Sequence, residues 1–208
     1  MRSFRTARLT TAGLLFGALA LTGTYGCTEI DDGPQDPGRY EPQTSEDNVI
    51  NNLQVAYRQR QIGKYAELLA SDFQFYFDPK TRGQLGIEFW SRTTDSLQTE
   101  VLFNSSDVTS IKIELTWPKR SASGAGYLTP REGWTKLFLT DVFLDVDVQT
   151  PGQPVTTLRV EDQTQRFYFR KGRTYPPSGP ADTLMYLVEW RDEGDPDAPG
   201  SVSGLKAN

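Results

Sequence analysis

Tyr65-Ala66-Glu67-Leu68-Leu69-Ala70-Ser71-Asp72-Phe73-Gln74-Phe75-Tyr76-Phe77-Asp78-Pro79 changes its period half-way along. Up to Leu69 the apolar residues Tyr65, Ala66, Leu68 and Leu69 follow Ile62 at helical spacing, which reads as a short amphipathic helix. Asp72 then opens a run in which Phe73, Phe75 and Phe77 alternate, the period of a strand. Asp78-Pro79 closes it, because the residue before a proline is pushed out of the helical region and a proline cannot donate to a ladder. Upstream, Thr44-x-x-Asp47 offers a capping-box start. Val49, Ile50, Leu53, Ala56 and Tyr57 continue from it at helical spacing, and Gly63 separates this first helix from the second. Downstream, a third helix is expected over residues 85–103, with Phe89, Trp90, Leu97, Val101 and Leu102 on its buried side.

Four long strands follow. Ile111, Ile113, Leu115 and Trp117 alternate with Lys112, Glu114 and Thr116 before Pro118 ends the run. After a Ser/Gly-rich loop at 121–126, Phe138, Val142, Leu144, Val146 and Val148 alternate with Asp141, Asp145 and Asp147 between Gly133 and Gln149. Residues 157–170 and 183–192 complete the set, the latter with Leu184, Tyr186, Val188 and Trp190 on one face. The order α-α-β-α-β-β-β-β, with short links between late strands, gives an α+β class. It implies a mostly antiparallel sheet with the three N-terminal helices packed on one face. No internal repeat is present, and about 150 residues can bury roughly 70% of the unfolded surface in one core.

The two ends read differently. Arg2, Arg5 and Arg8 precede a short apolar run from Leu14 to Leu21, too short to span a bilayer, and Gly26 precedes Cys27, the one cysteine of the 208 residues. This pattern resembles a bacterial lipoprotein signal over residues 1–26, which implies cleavage before Cys27 and its lipidation. Thr28 follows, not Asp, so the resemblance favours the outer membrane in a cell with two membranes. The whole chain has 22 basic and 27 acidic residues; without Arg2, Arg5 and Arg8 it carries 19 against 27, net −8. Residues 27–44 are acidic and rich in proline and glycine, a composition that cannot offset its ordering entropy, and read as a tether. Residues 194–208 are poor in apolar side chains and are expected to be a flexible tail.

Composition excludes several chemistries. Without histidine there is no Ser-His-Asp or Cys-His dyad and no imidazole metal ligand; one cysteine closes no intrachain disulfide and builds no zinc site. The acidic balance argues against nucleic acid as a partner.

Leu53-Gln54-Val55-Ala56-Tyr57, Tyr65 to Phe73 and Phe75-Tyr76-Phe77-Asp78-Pro79 resemble the opening of the nuclear transport factor 2-like (SnoaL-like) superfamily. Tyr186-Leu187-Val188-Glu189-Trp190-Arg191-Asp192 resembles its last strand, so the likeness covers residues 45–193. It implies a cystatin-like cone, helices and a bent sheet enclosing an apolar pocket, used for isomerase, dehydratase or cyclase chemistry in some members. It also implies a carboxylate base where Asp78 stands, as in ketosteroid isomerase-like members.

Asp78 is therefore the catalytic candidate, against the reading that Asp-Pro is a turn whose carboxylate caps nearby amides. Tyr57, Tyr76, Trp90 and Trp134 are the candidate ligand-binding residues, with core packing as the competing role for each. Tyr65 and Tyr186 are further hydroxyls able to donate into a cavity. Asp141, Asp145 and Asp147 share one strand face and read as solvated, not as a metal cage; no metal and no cofactor is expected. The basic clusters Lys119-Arg120 and Arg170-Lys171-Gly172-Arg173 read as solubilising strand ends. The favoured reading is an envelope lipoprotein, attached to a membrane through Cys27, whose cone binds a small apolar ligand or an envelope protein without catalysis. An isomerase- or cyclase-like enzyme with Asp78 as base is the alternative, and a module that homodimerises through its open sheet face the third.

Overall fold

The computed structural model describes residues 38–115, 134–175, 182–194 and 201–207. The leader over 1–26, Cys27, the first part of the tether, Trp117 and the loop at 121–126 lie outside the described residues.

Ser45 begins the first helix, α1 (Glu46–Arg58), its side chain accepting from Asn48 N, one residue later than the Thr44 start read from sequence. Arg60, in the left-handed region at φ 53°, turns the chain into α2 (Ile62–Leu68). The break therefore falls at residues 59–61, and Gly63 sits inside α2. Strand β1 (Leu69–Tyr76) follows without a loop, and Phe73, Phe75 and Phe77 are buried as their alternation requires. The strand thus opens three residues before Asp72, which is held by both terminal guanidinium nitrogens of Arg170 at 2.6 and 2.8 Å. Arg170 is itself buried, so it is a clamp and not the solubilising charge read from its cluster.

The helix expected over 85–103 begins only at Arg92; a short strand occupies 89–91, and a further helix precedes it over 79–85. Asp78 caps α3 (Pro79–Leu85), which ends at Gly86 with φ 69°, a left-handed helix stop. Next come β2 (Phe89–Ser91) and α4 (Arg92–Asn104). Trp90 faces the core from β2, whereas Phe89 is exposed. On α4 the buried residues are Asp95, Thr99 and Phe103, while Leu97 and Val101 are exposed at 55% and 66%. Of the expected face, Trp90 and Leu102 do pack on the core, but Leu97 and Val101 turn outward, because Asp95 has a partner far away in sequence that lets it turn inward.

Strands β3 (Val108–Glu114), β4 (Trp134–Val148), β5 (Thr156–Lys171) and β6 (Met185–Asp192) complete one six-stranded sheet, in the order β2-β1-β6-β5-β4-β3. Every neighbouring pair is antiparallel except β1 and β6, which run parallel. Register shifts at Leu139/Val142 and Val142/Leu144 in the β4–β5 ladder, and at Tyr168/Phe169 beside β6, mark bulges that add twist and bend to long strands. At the last of these the ladder passes from Glu189 to Leu187 and skips Val188. That extra residue moves Trp190 into the main core, while Tyr186 and Val188 join a separate cluster with Ala70, Trp134 and Tyr168. The expected single face of β6 is corrected accordingly.

Both tails are also partly corrected. Residues 38–43 do not float: the Asn52 side chain exchanges hydrogen bonds with the Glu41 backbone at 2.7 Å, Asn51 Nδ2 donates to Arg39 O at 3.1 Å, and Met185 N donates to Gln43 O at 2.6 Å. Amide side chains on a helix satisfy that segment's backbone groups in place of apolar burial. At the other end, α5 (Val202–Ala207) is ordered, with Val202, Ser203 and Lys206 buried. The tail read as flexible carries a cation whose side chain is 1% exposed.

Candidate functional site

The helices cover one face of the sheet, and the space between is filled with rings. Tyr57 meets Tyr65 edge-on at 5.6 Å and Phe103 at 5.1 Å; Trp190 meets Phe75 at 5.3 Å and Phe167 at 5.1 Å; Phe77 meets Trp90 at 4.9 Å. Such pairs add about 0.5–1.5 kcal/mol each beyond their area.

Inside this aromatic volume lies a polar cluster that the sequence reading did not find. The Lys206 side chain enters from α5 and its ammonium contacts Asp95 Oδ1 on α4; Tyr65 OH donates to Asp95 Oδ2 and lies 3.2 Å from Lys206 Nζ. The ammonium also stands 4.3 Å from the Phe75 ring centre and 5.0 Å from that of Trp190. Burial alone would push the Lys206 ammonium down, but the Asp95 carboxylate outweighs it and the net direction is up. Burial, then the Asp95 charge, drives the Tyr65 hydroxyl well above its ordinary range, and burial raises Tyr57 too. The hydroxyls of Tyr57 and Thr99 are enclosed in the same cluster, that of Tyr57 facing Lys206 and Thr99. Lys206 is the only basic residue after Arg191, yet nothing local in its sequence marks it as buried.

The base of α5 is bound to the end of the sheet. Trp190 Nε1 donates to Gln165 Oε1, Gln165 Nε2 donates to Asp192 Oδ1 at 2.6 Å, and Asp192 Oδ2 accepts from Ser203 N at 2.7 Å. Burial raises Asp192 above the usual carboxylate range, against the hydrogen bonds it accepts. Asp78 stands beside it. Its Oδ1 accepts from Lys80 N and Thr81 N at 2.8 and 3.0 Å, and its Oδ2 accepts from Ser201 Oγ at 2.8 Å. Burial would raise Asp78, but these hydrogen bonds outweigh it and hold the carboxyl below its ordinary value. That direction is opposite to what a proton-abstracting base needs.

An open cleft of about 270 Å³ lies at this end of the sheet, lined in part by Tyr76, Phe77, Arg82, Glu88, Arg191 and Glu193. Its rim is preorganised: the Arg191 guanidinium lies 4.5 Å from the Tyr76 ring centre and is fixed by Glu189 Oε2 at 2.7 Å, and Arg166 holds Glu193 at 2.7 Å.

The four sequence-chosen ligand residues are not brought together. Tyr57 and Trp90 are core, Tyr76 lines the cleft with its hydroxyl donating to Gln74 Oε1 at 2.9 Å, and Trp134 packs in the second cluster with Tyr168. Tyr186 is in that second cluster as well. On the acidic strand face, Asp145 is bridged to Arg159 at 2.8 Å and Asp147 accepts from Ser110 and Thr157, while the side chain of Asp141 lies outside the described residues. Among the described residues no three acidic or thiol groups converge as metal ligands.

Among solved structures, a Kribbella flavida protein aligns over 78% of this chain and 94% of its own, with a TM-score of 0.50 at 7% identity. A protein of unknown function from Rhodospirillum rubrum, described as NTF2-like, aligns over 73% and 98% with a TM-score of 0.40 at 14% identity. Several of the structural neighbours are described as NTF2-like proteins. The neighbours also include a hexachlorocyclohexane dehydrochlorinase from Novosphingobium barchaimii, aligned over 75% of this chain and 86% of its own, TM-score 0.44, 10% identical. At such identities the likeness is one of fold alone. No protein-family model and no curated protein matches the chain. The space between the helices and the sheet in this chain is filled by rings and an ion pair, and an accessible concavity lies at the edge.

Proposed function

We propose that the chain is a lipid-anchored lipoprotein of a bacterial cell envelope whose cone binds a small ligand in the edge cleft without catalysis. The observation that carries the binding half is the cleft itself. Tyr76, Phe77 and Pro79 give it an apolar floor, and Arg82, Glu88 and Arg191 give it charged groups that orient a guest. This refines the apolar ligand read from sequence to one with an apolar body and a polar end. The anchor half rests on the leader and on Cys27, and on the outer membrane where there are two. Several acyl chains on that residue hold firmly, at about 0.8 kcal/mol per buried CH₂.

The isomerase- or cyclase-like alternative needs Asp78 free to take a proton, but both its oxygens are engaged by α3 and Ser201. The third reading, a module that homodimerises through its open sheet face, is read out by sedimentation, where a strictly monomeric chain counts against it. Cell fractionation tests the anchor: Cys27→Ser should move the protein from the membrane to the soluble fraction, and unchanged partitioning would refute lipidation. A ligand-observed screen tests the cleft: hits on the Cys27→Ser chain should vanish with Arg191→Ala, and hits that persist place the guest elsewhere.

A further inference from the structure

Apart from the cleft, the molecule holds a second arrangement shaped for a guest. The walls around Lys206 Nζ come from five elements: Tyr57 on α1, Tyr65 on α2, Phe75 on β1, Asp95 and Thr99 on α4, and Trp190 on β6. None of these belongs to α5. Three ring centres lie within 6 Å of the ammonium, at 4.3, 5.0 and 5.5 Å, the distance at which ring quadrupoles attract a cation. Asp95, fully enclosed, supplies the counter-charge, and Tyr65 OH orients it. Beside them the enclosed Tyr57 hydroxyl faces both Lys206 and Thr99, so the cation is met by polar oxygens as well as by rings.

As a device for stability this cluster is poorly chosen. Well-packed apolar residues would serve the core as well as a buried ion pair. The cation, moreover, arrives on a six-residue helix, too short to hold itself. Gly194-Asp-Pro-Asp-Ala-Pro-Gly200 joins that helix to β6. A ring box with one carboxylate and tyrosine hydroxyls is the chemistry of ammonium recognition, and the Lys206 side chain is a butylammonium on a tether.

We infer that the centre of the cone is a binding site for a primary ammonium group on a slender apolar body, filled in cis by Lys206, and that α5 is the displaceable stopper. A free amine enters by replacing Lys206 against Asp95 and the rings of Phe75 and Trp190, while α5 undocks at its Ser203–Asp192 and Ser201–Asp78 contacts. Because the tethered lysine competes at high effective concentration, the wild-type chain binds amines weakly and a chain lacking that side chain binds them well.

The probe is n-butylammonium, with n-butanol as the uncharged body of the same length. Calorimetry on the mature Lys206→Ala chain should show butylammonium binding at least about tenfold tighter than butanol and about 100-fold tighter than to wild type. Adding Asp95→Asn should erase the preference for charge. In the wild-type chain, millimolar butylammonium should raise deuterium uptake at 201–207 while the sheet stays protected. A folded Lys206→Ala chain with no preference for the amine overturns the inference, as does wild-type α5 exchange that never responds to amine. Should Lys206→Ala fail to fold, the wild-type exchange measurement decides alone.

Discussion

Replacing Asp95 by Asn leaves the Lys206 ammonium in the aromatic core without a counter-charge. Both side chains are enclosed, at 1% and 0% exposure for Lys206 and Asp95, so water cannot screen the loss. Breaking a buried pair in this way costs about 3–5 kcal/mol. For a domain of this size each kcal/mol moves the melting point by about 2–4 °C, so the variant should melt about 10 °C lower. Lys206→Met alone should also destabilise, since it strands the carboxylate. The double variant should return to within about 1–2 kcal/mol of wild type, because an apolar side chain in place of a buried ion is close to neutral. Urea unfolding of the four chains measures the cycle, with hydrogen exchange at 201–207 as a second readout. If α5 undocks in Asp95→Asn, Lys206 reaches water and the loss is capped by the docking free energy; raised exchange identifies that case. A single variant within about 0.5 kcal/mol of wild type, with α5 still protected, refutes the reasoning.

Asp78→Ala should lower stability by about 0.5–2 kcal/mol through loss of the α3 cap. Since the native carboxyl titrates below its unfolded value, its contribution is present above about pH 4 and disappears as the pH falls through the native value, so Asp78→Asn should flatten the acid limb of the stability curve. At the alkaline end Tyr65, Tyr57 and Lys206 are all raised; their stabilisation is complete below about pH 10 and is lost above it, and Tyr65→Phe should shallow that limb in pH-dependent melting. Phe75→Ala should cost about 3–5 kcal/mol, while Leu97→Ala and Val101→Ala should stay within about 0.5 kcal/mol, a contrast in urea midpoints that separates the observed face of α4 from the one its apolar residues suggest.

The parts of this fold that the sequence displays are those where local pattern and burial coincide. Phe73, Phe75 and Phe77 alternate because β1 has one covered face, and Ile111 and Ile113 do the same in β3. Where a partner from elsewhere decides the outcome, pattern misleads. Asp95 turns inward only because Lys206 arrives from 111 residues away, and that turns Leu97 and Val101 of α4 outward. Arg170 is buried because Asp72 meets it across 98 residues. Trp190 changes sides through one extra residue at Val188, which no strict period-two count can register. The candidate site follows the same rule. Tyr76 lies on a strand beside the cleft and was accessible to sequence reasoning, whereas Arg191 is a plain surface charge until Glu189 and Tyr76 fix it.

The binding role is tested most directly by native mass spectrometry of the Cys27→Ser chain, expressed in its own cell envelope and purified without detergent, beside its Arg191→Ala counterpart. A small molecule retained by the first and absent from the second is the expected result. Two empty spectra, or the same mass retained by both, would contradict the cleft as the ligand site.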